Sequence, residues 1–288
     1  MESANANFFH LGEKGIRKDL MYDLASRCGF KVLSKTKNDV TQYRLKKVGI
    51  PCERLYTRED KTTINFIDIA DLHIGNSDCE ISKIRNVLDY AVRQNVDYVF
   101  SAGDILDGVF SSMEIRDAQV ICSKQIDAAY SIFRNYPLDI RVVPGNHDFT
   151  FDFVGIRNPL RILEEKLKNE KCNFKVYDGY IQDFEMAGIV KRMMHLENFY
   201  LQDNVVAVIQ RLHEFKEHGG LMVKCEDGVK RPLRFLECGH IHKTAEMYDW
   251  ESKVTITQPG SFVYGQNYYM PFIHVKGEVL DDLRIVRD

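Results

Sequence analysis

Five short apolar segments of this chain each end, within a residue or two, on a side chain that can bind a metal ion. Ligand sites in open α/β sheets form just beyond the carboxyl ends of the strands, so five such ends can deliver many ligands to one crevice. This arrangement is typical of a metal-dependent hydrolase. The segments are INFIDIA before Asp71 and His73, YVFSAG before Asp104 and Asp107, IRVVPG before Asn146, His147 and Asp148, IVKRMM before His195, and LRFLECG before His240 and His242.

The hydrophobic periodicity beyond residue 60 alternates between strands and helices. Strand patterns cover 64–70, 97–102 and 139–144, and apolar residues recur at helical spacing over 80–94, 112–134 and 158–169. Residues 174–195 indicate two or three antiparallel strands, and the tail over 253–286 is again rich in strand formers. The pattern predicts an α/β fold with a mixed sheet, or two facing sheets, and helices outside.

Composition and cysteine usage favour an ordinary globular protein. With 288 residues, 44% of them hydrophobic, the chain can bury a full core. We find no signal-peptide pattern and no apolar run of about 18 residues, so we expect a cytoplasmic protein with no membrane partner. The seven cysteines are odd in number and form no C-x-x-C pair, which is typical of reduced thiols in a cytosol.

Charge is uneven along the chain and indicates two domains. Residues 1–60 have 12 Lys and Arg against 8 Asp and Glu, a net charge of +4, which leaves −7 for residues 61–288 because the whole chain carries −3. We place the boundary in the polar run Arg58–Thr62. Residues 1–60 are predicted to form a small helical module, with helices over Ile16–Cys28 and Asp39–Val48.

The second of these helices would be basic, and two interpretations of it stay open. It could be the reading helix of a helix-turn-helix-like unit that contacts phosphates. It could equally belong to a solvated helix pair that packs on the larger domain. The connection over 29–38 is longer than a tight helix-turn-helix turn, which favours the second interpretation.

The spacing of residues within the ligand clusters would allow two side chains to bind the same metal ion. In Asp71-x-His73, residues two apart on an extended segment point to the same side, so a carboxylate and an imidazole can grip one cation. His240-x-His242 repeats this spacing with two imidazoles. Each cluster alone has an ordinary explanation as turn chemistry or chance, but together and in this order they favour a metal site.

The motifs DLH, GDILD, GNHD and GHIH, each after a strand and in this order, resemble the signature of the calcineurin-like metallophosphoesterase superfamily over about residues 62–288. The resemblance implies a β-sandwich of mixed sheets flanked by helices, with two metal ions at the strand ends. Gln258-Pro259-Gly260-Ser261 also resembles the N-P-G-S of phosphodiesterase-like members, with Gln258 in place of the asparagine. The resemblance, applied motif by motif, implies the ligands of both ions. Asp71, His73 and His242 would bind the first ion, and Asn146, His240 and one further histidine would bind the second. Asp104 would bind both ions.

Three histidines are candidates for the remaining ligand. His195 follows the strand pattern Ile189–Met194, and a strand end directs its side chain into the crevice. His213 and His218 lie in a helical pattern over Val205–Glu217 and just beyond it, where a side chain is more often solvated. We therefore predict that His195 is the ligand.

The chemistry follows from this ligand set. Two divalent ions would lower the pKa of a shared water to give hydroxide at neutral pH, and this hydroxide would attack phosphorus in line with the leaving oxygen. His147 would protonate the leaving group, with Asp107 or Asp148 as partners that orient it. Carboxylate, amide and imidazole ligands suit Mn²⁺ first, with Fe or Zn²⁺ as alternatives.

Three hypotheses about the substrate remain. The first is a phosphodiesterase that acts on nucleic acid, DNA or RNA, for which the basic N-terminal segment argues. The second is a phosphomonoesterase or a phosphodiesterase of small or cyclic nucleotides, because an acidic catalytic domain should repel a polyanion. The third is a non-catalytic binding protein, which the complete ligand set makes the weakest of the three.

Overall fold

The computed structural model describes residues 30–37, 40–47, 50–56, 63–109, 113–156, 158–195, 213, 221–268, 270–276 and 279–286. The chain separates into two compact units, Met1–Pro51 and Cys52–Asp288. This boundary lies before the predicted one at residue 60. The reason is that Cys52–Arg54 forms a strand, β3, which pairs in parallel with Ile181–Met186 of the second unit.

The described part of the first unit is a β-hairpin. Strand β1, Phe30–Lys37, pairs antiparallel with strand β2, Val40–Lys47, and the register runs from Phe30 opposite Lys47 to Lys37 opposite Val40. The helix predicted over Asp39–Val48 is therefore wrong, and with it the helix-turn-helix interpretation. Two residues separate the strands, which is a common hairpin spacing, and Val, Thr and Tyr favour strands. The predicted helix over Ile16–Cys28 lies outside the described residues.

The second unit contains two mixed sheets, as the sequence predicted. The six-stranded sheet has the order β15-β14-β4-β5-β6-β7. Strands β4 to β7 are parallel to one another, β14 pairs antiparallel with β4, and β15 pairs antiparallel with β14. Its strands are β4 Thr63–Ile69, β5 Tyr98–Ser101, β6 Asp139–Val142, β7 Asn173–Val176, β14 Met270–Lys276 and β15 Val279–Val286.

The seven-stranded sheet has the order β12-β13-β11-β9-β8-β3, and β10 pairs with β11. Strands β8 and β9 form the predicted hairpin, whereas β7, which we had expected beside them, lies in the other sheet because it pairs with β6. The remaining strands of this sheet are β8 Ile181–Met186, β9 Ile189–His195, β10 Met222–Lys224, β11 Lys230–Gly239, β12 Thr244–Asp249 and β13 Val254–Pro259.

Alternation along the central strands sorts their side chains between two cores. In β4, Phe66 belongs to the core shared with Phe184 and Phe235 of the facing sheet, whereas Ile67 and Ile69 belong to the core that contains the buried faces of the helices. The helices are α1 Ile81–Arg93, α2 Ile115–Phe133, the short α3 Asn146–Phe149 and α4 Pro159–Leu167. The result is the predicted β-sandwich with flanking helices.

Three of these helices match the periodicity of the sequence, and each begins or ends within a few residues of its predicted bounds. Of the helices that the structure describes, none has the length and apolar character of a membrane-spanning helix.

Candidate metal centre

The ends of β4, β5, β6, β9 and β11 bring all seven predicted metal ligands to one edge of the sandwich. β4, β5 and β6 are neighbours in parallel, and β9 and β11 are parallel with His195 opposite Gly239, so their carboxyl ends meet at the same level. The ligands fall into two groups that share Asp104. They are Asp71, His73, Asp104 and His242 in the first group, and Asp104, Asn146, His195 and His240 in the second.

The first group contains two imidazoles and two carboxylates. The His73 and His242 Nε2 atoms are 3.0 Å apart, and His242 Nε2 lies 3.4 Å from Asp71 Oδ1. One ligand atom from each member lies within 4.8 Å of the others. Both Asp71 oxygens also accept from the His240 backbone N–H, at 2.9 and 3.0 Å, so the aspartate ties the β4 end to the β11 end.

The second group surrounds the Asn146 amide oxygen. Asn146 Oδ1 lies 2.8 Å from both His195 Nε2 and His240 Nδ1. His195 Nδ1 is 2.7 Å from the Ala102 carbonyl oxygen, which can only accept a hydrogen bond. Nδ1 therefore carries the proton in the neutral ring, and Nε2 presents its lone pair to the site. His195 is buried and Asn146 is half-buried, so the group is largely shielded from water.

Asp104 lies between the two groups. Its Oδ2 is 3.4 Å from His195 Nε2 and 3.8 Å from His73 Nε2, and its Oδ1 accepts from the His147 backbone N–H at 2.8 Å. The Asp104 side chain is buried, yet no hydrogen bond within the described ranges satisfies Oδ2. A buried oxygen without a donor is costly unless a cation faces it.

Electrostatics support a cation at this position. Burial alone would lower the pKa of His195, but the negative charge of Asp104 outweighs it and raises the pKa to about 9. Burial would raise the pKa of Asp104, but the charges of His195 and His73 hold it below its ordinary value. Burial and the His195 charge lower the pKa of His240. The carboxylate thus attracts positive charge, and divalent ions can replace the protons of the imidazoles.

The donor set fits divalent metal ions. Carboxylate oxygens, an amide oxygen and imidazole nitrogens are ligands that Mn²⁺, Fe and Zn²⁺ accept. Within the described ranges, the clusters of potential ligands at this edge contain no cysteine. The first group would hold one ion and the second group another, with Asp104 contributing to both.

The backbone of the site is strained, which is a common feature of functional centres. Five of the candidate ligands have φ in the left-handed region: Asp71 at 54°, His73 at 48°, Asp104 at 53°, His240 at 86° and His242 at 56°. Conformations of this kind cost about 1–3 kcal/mol each for non-glycine residues. Tight turns directly after the strands direct these side chains into the crevice, and the surrounding fold must offset their cost.

The glycine of the GNHD motif is required by close packing. A Cβ at Gly145 would lie 2.1 Å from Asp104 Oδ1, and a Cβ at Gly239 would lie 2.2 Å from the Ala102 carbonyl oxygen. Any larger side chain at these positions would displace the Asp104 carboxylate or the β5 end. These two glycines therefore let the strand ends approach closely, which brings the two groups of candidate ligands together.

The predicted catalytic residues lie beside the first group, with one correction. His147 Nδ1 is 2.7 Å from the main-chain carbonyl of Asp107, so this carbonyl, and no carboxylate, orients the ring. The Asp107 carboxylate lies 3.4 Å from His73 Nδ1 and accepts from Asn76 Nδ2 at 3.0 Å. It therefore supports a candidate ligand.

Asp148 is the second part of this correction. Its carboxylate accepts from the backbone N–H groups of Gly145 and Leu106, each at 2.8 Å, and of Ile105 at 3.3 Å. Burial and the Asp104 charge raise its pKa to about 7. Asp148 thus joins the loop after β5 to the loop after β6 and holds the two motifs in place, in contrast to the predicted role as a partner of the His147 ring.

The candidates for the remaining histidine also separate. His195 lies in the second group, whereas His213 Nε2 lies 3.2 Å from Asp249 Oδ2, at the end of β12. His218 lies outside the described residues. The prediction of His195 relied on its position at a strand end, and the place of His195 in the second group agrees with it.

Gln125 supports the motif loops, although no sequence motif indicates this role. Its buried side chain on α2 accepts from the Gly108 N–H at 3.1 Å and donates to the Gly108 carbonyl at 3.0 Å. Its Cγ also occupies the space where a Cβ of Gly75 would lie, 2.4 Å away. The signal was a polar residue within the buried stripe of α2, between Cys122 and Ile126.

We expect the substitution Gln125→Leu to destabilise the protein, because it leaves the Gly108 N–H and carbonyl buried without partners. Each such group costs about 1–3 kcal/mol. Urea unfolding, followed by circular dichroism, measures the loss. Lys124→Ala, at the exposed neighbouring position, is the matched control and should change the free energy of unfolding by less than about 0.5 kcal/mol. Equal stability of the two variants would show that the Gln125 clamp contributes nothing.

The two-sheet sandwich thus has two groups of candidate metal ligands at its strand ends. The family model of the calcineurin-like phosphoesterases matches residues 64–277, which is more than half of the chain. The chain therefore belongs to the calcineurin-like phosphoesterase family, a family of metal-dependent hydrolases, as the motifs had indicated.

Among curated relatives, the chain is similar to YhaO, an uncharacterized metallophosphoesterase of Bacillus subtilis strain 168. The two are 28% identical over 216 residues, which cover 63% of this chain and 49% of YhaO. The match thus spans about half of that relative's length.

Solved structures to which the chain is similar include a dimetal phosphatase from Danio rerio, with 11% identity, a TM-score of 0.43, and coverage of 78% of this chain and 99% of that one. They also include Vps29 from Entamoeba histolytica in complex with Zn²⁺, with 11% identity, a TM-score of 0.40, and coverage of 78% and 98%.

Proposed function

We propose that this protein hydrolyses the phosphodiester bonds of nucleic acid, with two divalent ions held by the two ligand groups. The observation that carries the proposal is the buried Asp104 Oδ2 atom, which lies between two sets of imidazoles and accepts no hydrogen bond from the part of the chain that the structure describes. Such an atom is expected where one carboxylate serves two cations.

The ions, when bound, would supply a nucleophile at neutral pH and neutralise the charge that develops on the phosphoryl oxygens. The residues of the chain do the rest. Tautomer control by the Ala102 carbonyl keeps His195 Nε2 available to the site. The Asp107 carboxylate supports His73, and Asp148 keeps the two motif loops together.

His147 is the candidate general acid. Its Nδ1 donates to the Asp107 carbonyl, so the ring orientation is fixed and Nε2 is the atom that can transfer a proton. The ring lies edge-to-face against His73, with centroids 4.5 Å apart, next to the first group of ligands. A protonated His147 in this position would deliver the proton from Nε2 to the leaving alkoxide.

Nucleic acid is the proposed substrate because of the charge of the N-terminal hairpin. The sequence of residues 30–47 contains six basic residues against the single acidic Asp39, and β-ribbons are used to contact DNA. The basic residues are Lys31, Lys35, Lys37, Arg44, Lys46 and Lys47.

The second candidate function is hydrolysis of phosphomonoesters or small nucleotides, including cyclic ones. It is favoured by the net charge of −7 over residues 61–288, which makes the larger part of the chain a poor surface for a polyanion. A non-catalytic binding role is disfavoured because both ligand groups are complete. Mn²⁺ is the proposed ion and the cytoplasm the proposed compartment, in agreement with the donor set and the cysteine usage.

The proposal is tested by hydrolysis assays on the full chain with Mn²⁺. The substrates are labelled single- and double-stranded DNA, RNA, a cyclic nucleotide, bis(p-nitrophenyl) phosphate as a diester and p-nitrophenyl phosphate as a monoester. Asp104→Asn serves as the inactive blank and His213→Ala as a histidine control outside both ligand groups. Cleavage of nucleic acid that the blank lacks supports the proposal. Cleavage confined to the monoester or the cyclic nucleotide selects the second candidate, and no Mn²⁺-dependent hydrolysis at all overturns both.

We expect the hairpin charges to control nucleic-acid affinity. Replacement of Lys46 and Lys47 by Gln should weaken binding uniformly across sequences, because phosphate contacts read no bases. The slope of log K against log salt should fall by about 1 per lost phosphate contact. Fluorescence anisotropy with labelled DNA at several salt concentrations measures both, and Lys124→Gln on α2, which removes one exposed lysine outside the hairpin, is the control. An unchanged salt slope would exclude the hairpin from the interface.

A further inference from the structure

Below the candidate metal centre, between the two sheets, lies a cluster of polar side chains that the proposed chemistry does not use. Lys191 Nζ on β9 is 2.8 Å from Asp68 Oδ1 on β4 and 2.9 Å from Glu237 Oε2 on β11. The Thr257 hydroxyl on β13 donates to Asp68 Oδ2 at 2.7 Å. Lys191, Asp68 and Glu237 are each 0% exposed. We call these four residues the inter-sheet cluster.

The charges of the inter-sheet cluster resolve into one ion pair and one neutral acid. One amine with two carboxylates would leave a net negative charge in the core, which is costly. Burial and the neighbouring Asp68 charge raise the pKa of Glu237 well above its ordinary value, which favours the neutral acid. Burial alone would lower the pKa of Lys191, but the charge of Asp68 and the hydrogen bond to Glu237 raise it, so Lys191 carries the positive charge of the ion pair.

Aromatic rings complete the surroundings of the ammonium group. Lys191 Nζ lies 5.0 Å from the Phe66 ring centroid and 4.8 Å from that of Phe100. Both phenylalanines belong to the core between the sheets. The Lys191 ammonium group therefore has partners in the facing sheet as well as in its own sheet. Its hydrogen bonds and its contacts with the aromatic rings are directional, so they fix its position more closely than burial alone would.

The position of the inter-sheet cluster in the strands suggests its use. Asp68 precedes the candidate ligand Asp71 by three residues, Glu237 precedes His240 by three, and Lys191 precedes His195 by four. Three residues of strand span about 10 Å, a short and stiff distance. The Lys191–Asp68 pair thus joins the strand of Asp71, in the first ligand group, to the strand of His195, in the second.

Ordinary apolar side chains would stabilise the packing of the two sheets at least as well as the inter-sheet cluster does. Replacing a buried ion pair by apolar residues is often neutral or stabilising, so stability alone does not explain the inter-sheet cluster. Apolar contact, however, is non-directional and tolerates small slides between sheets. Metal sites need their ligands within about 0.2–0.5 Å of the required positions.

We propose that the inter-sheet cluster is a positioning device that fixes the two sheets relative to each other, so that the two ligand groups stay at the spacing that a shared Asp104 requires. This inference rests on the proposed two-ion function. Lys191, Asp68 and Thr257 act through the strands and touch neither ion nor substrate. Glu237 serves in its neutral form.

The test compares Mn²⁺ binding in full-length variants by isothermal titration calorimetry. The double variant Lys191→Met with Asp68→Asn removes the ion pair and leaves no uncompensated charge. We expect it to fold and to bind at least one of the two ions about 10–100-fold more weakly, as is found when supporting residues of metal sites are removed. With bis(p-nitrophenyl) phosphate at saturating Mn²⁺, kcat should fall while KM changes little.

Two further variants keep the inference falsifiable even where the double variant does not fold. Glu237→Gln preserves the shape and neutrality of the protonated acid and should bind Mn²⁺ as the parent does. Thr257→Val removes only the hydrogen bond to Asp68 and should weaken Mn²⁺ binding by a smaller factor than the double variant.

The parent protein separates failure of the inference from failure of the proposed function. Suppose that the parent binds two Mn²⁺ ions and that the folded double variant binds both with parental affinity. The positioning role is then refuted, and the two-ion function stands. Where the double variant does not fold, the same comparison is made with Thr257→Val. If the parent does not bind two ions, the proposed function is wrong and the inference falls with it. Near-ultraviolet circular dichroism confirms that each variant compared is folded.

Discussion

Asp104→Asn is expected to reduce Mn²⁺-dependent hydrolysis by at least about a hundredfold and to lower the metal content of the protein. Residues that merely support metal ligands already contribute 10–100-fold, and Asp104 belongs to both ligand groups. The substitution keeps the size of the side chain but removes the negative charge that attracts cations to the site. Metal content by mass spectrometry and initial rates with bis(p-nitrophenyl) phosphate measure the two effects.

The matched control for this prediction is Asp89→Asn, the same chemical change at an exposed position of α1. It should leave both metal content and rate unchanged. The loss of metal and the loss of rate should also occur together, because the carboxylate acts through the ions. An Asp104→Asn protein with full metal content and full rate would show that Asp104 does not bridge.

Lys191→Met is expected to lower the free energy of unfolding by about 3–5 kcal/mol, the usual cost of removing one partner from a buried ion pair. The Asp68 carboxylate would remain fully buried and would lose its counter-charge, although the Thr257 hydroxyl would still donate to it. This is a large fraction of the stability of an ordinary domain. Urea unfolding of the full chain, followed by circular dichroism, gives the difference.

Two variants show whether the loss comes from charge. Glu237→Gln should change the free energy of unfolding little, since the glutamic acid is already neutral. Addition of Asp68→Asn to Lys191→Met should recover part of the loss, because no buried charge is then left without a partner. If Glu237→Gln were as damaging as Lys191→Met, the assignment of the proton to Glu237 would be wrong.

The candidate site illustrates what local sequence carries well. Asp71, Asp104 and His195 each follow an apolar strand pattern, and the carboxyl ends of neighbouring parallel strands meet at one edge whatever the details of packing. Side-chain chemistry and chain order were therefore enough to collect the ligands. For Asp148, the sequence predicted a position at the site but the wrong role. Its partners are backbone N–H groups of a loop some 40 residues away in sequence, and a local pattern does not show them.

The N-terminal segment illustrates the opposite case. Over residues 40–47 a short amphipathic pattern fits one face of a helix as well as one strand of a ribbon. Pairing with Phe30–Lys37 settles the matter, because backbone hydrogen bonds between the two segments form only in the extended conformation. A pattern eight residues long does not show whether a partner strand lies beside it.

Beyond residue 62, the sequence by itself determined the early alternation of strands and helices, the candidate metal ligands at the strand ends and the family, because these depend on residue type and on periodicity along one segment. Tertiary structure alone decided the Gln125 clamp, the role of Asp148 and the inter-sheet cluster. In the cluster, Lys191 meets Asp68 across 123 positions of the chain. A charged residue in a strand pattern is ambiguous until the facing sheet supplies its counter-charge, and that contact depends on how the two sheets pack.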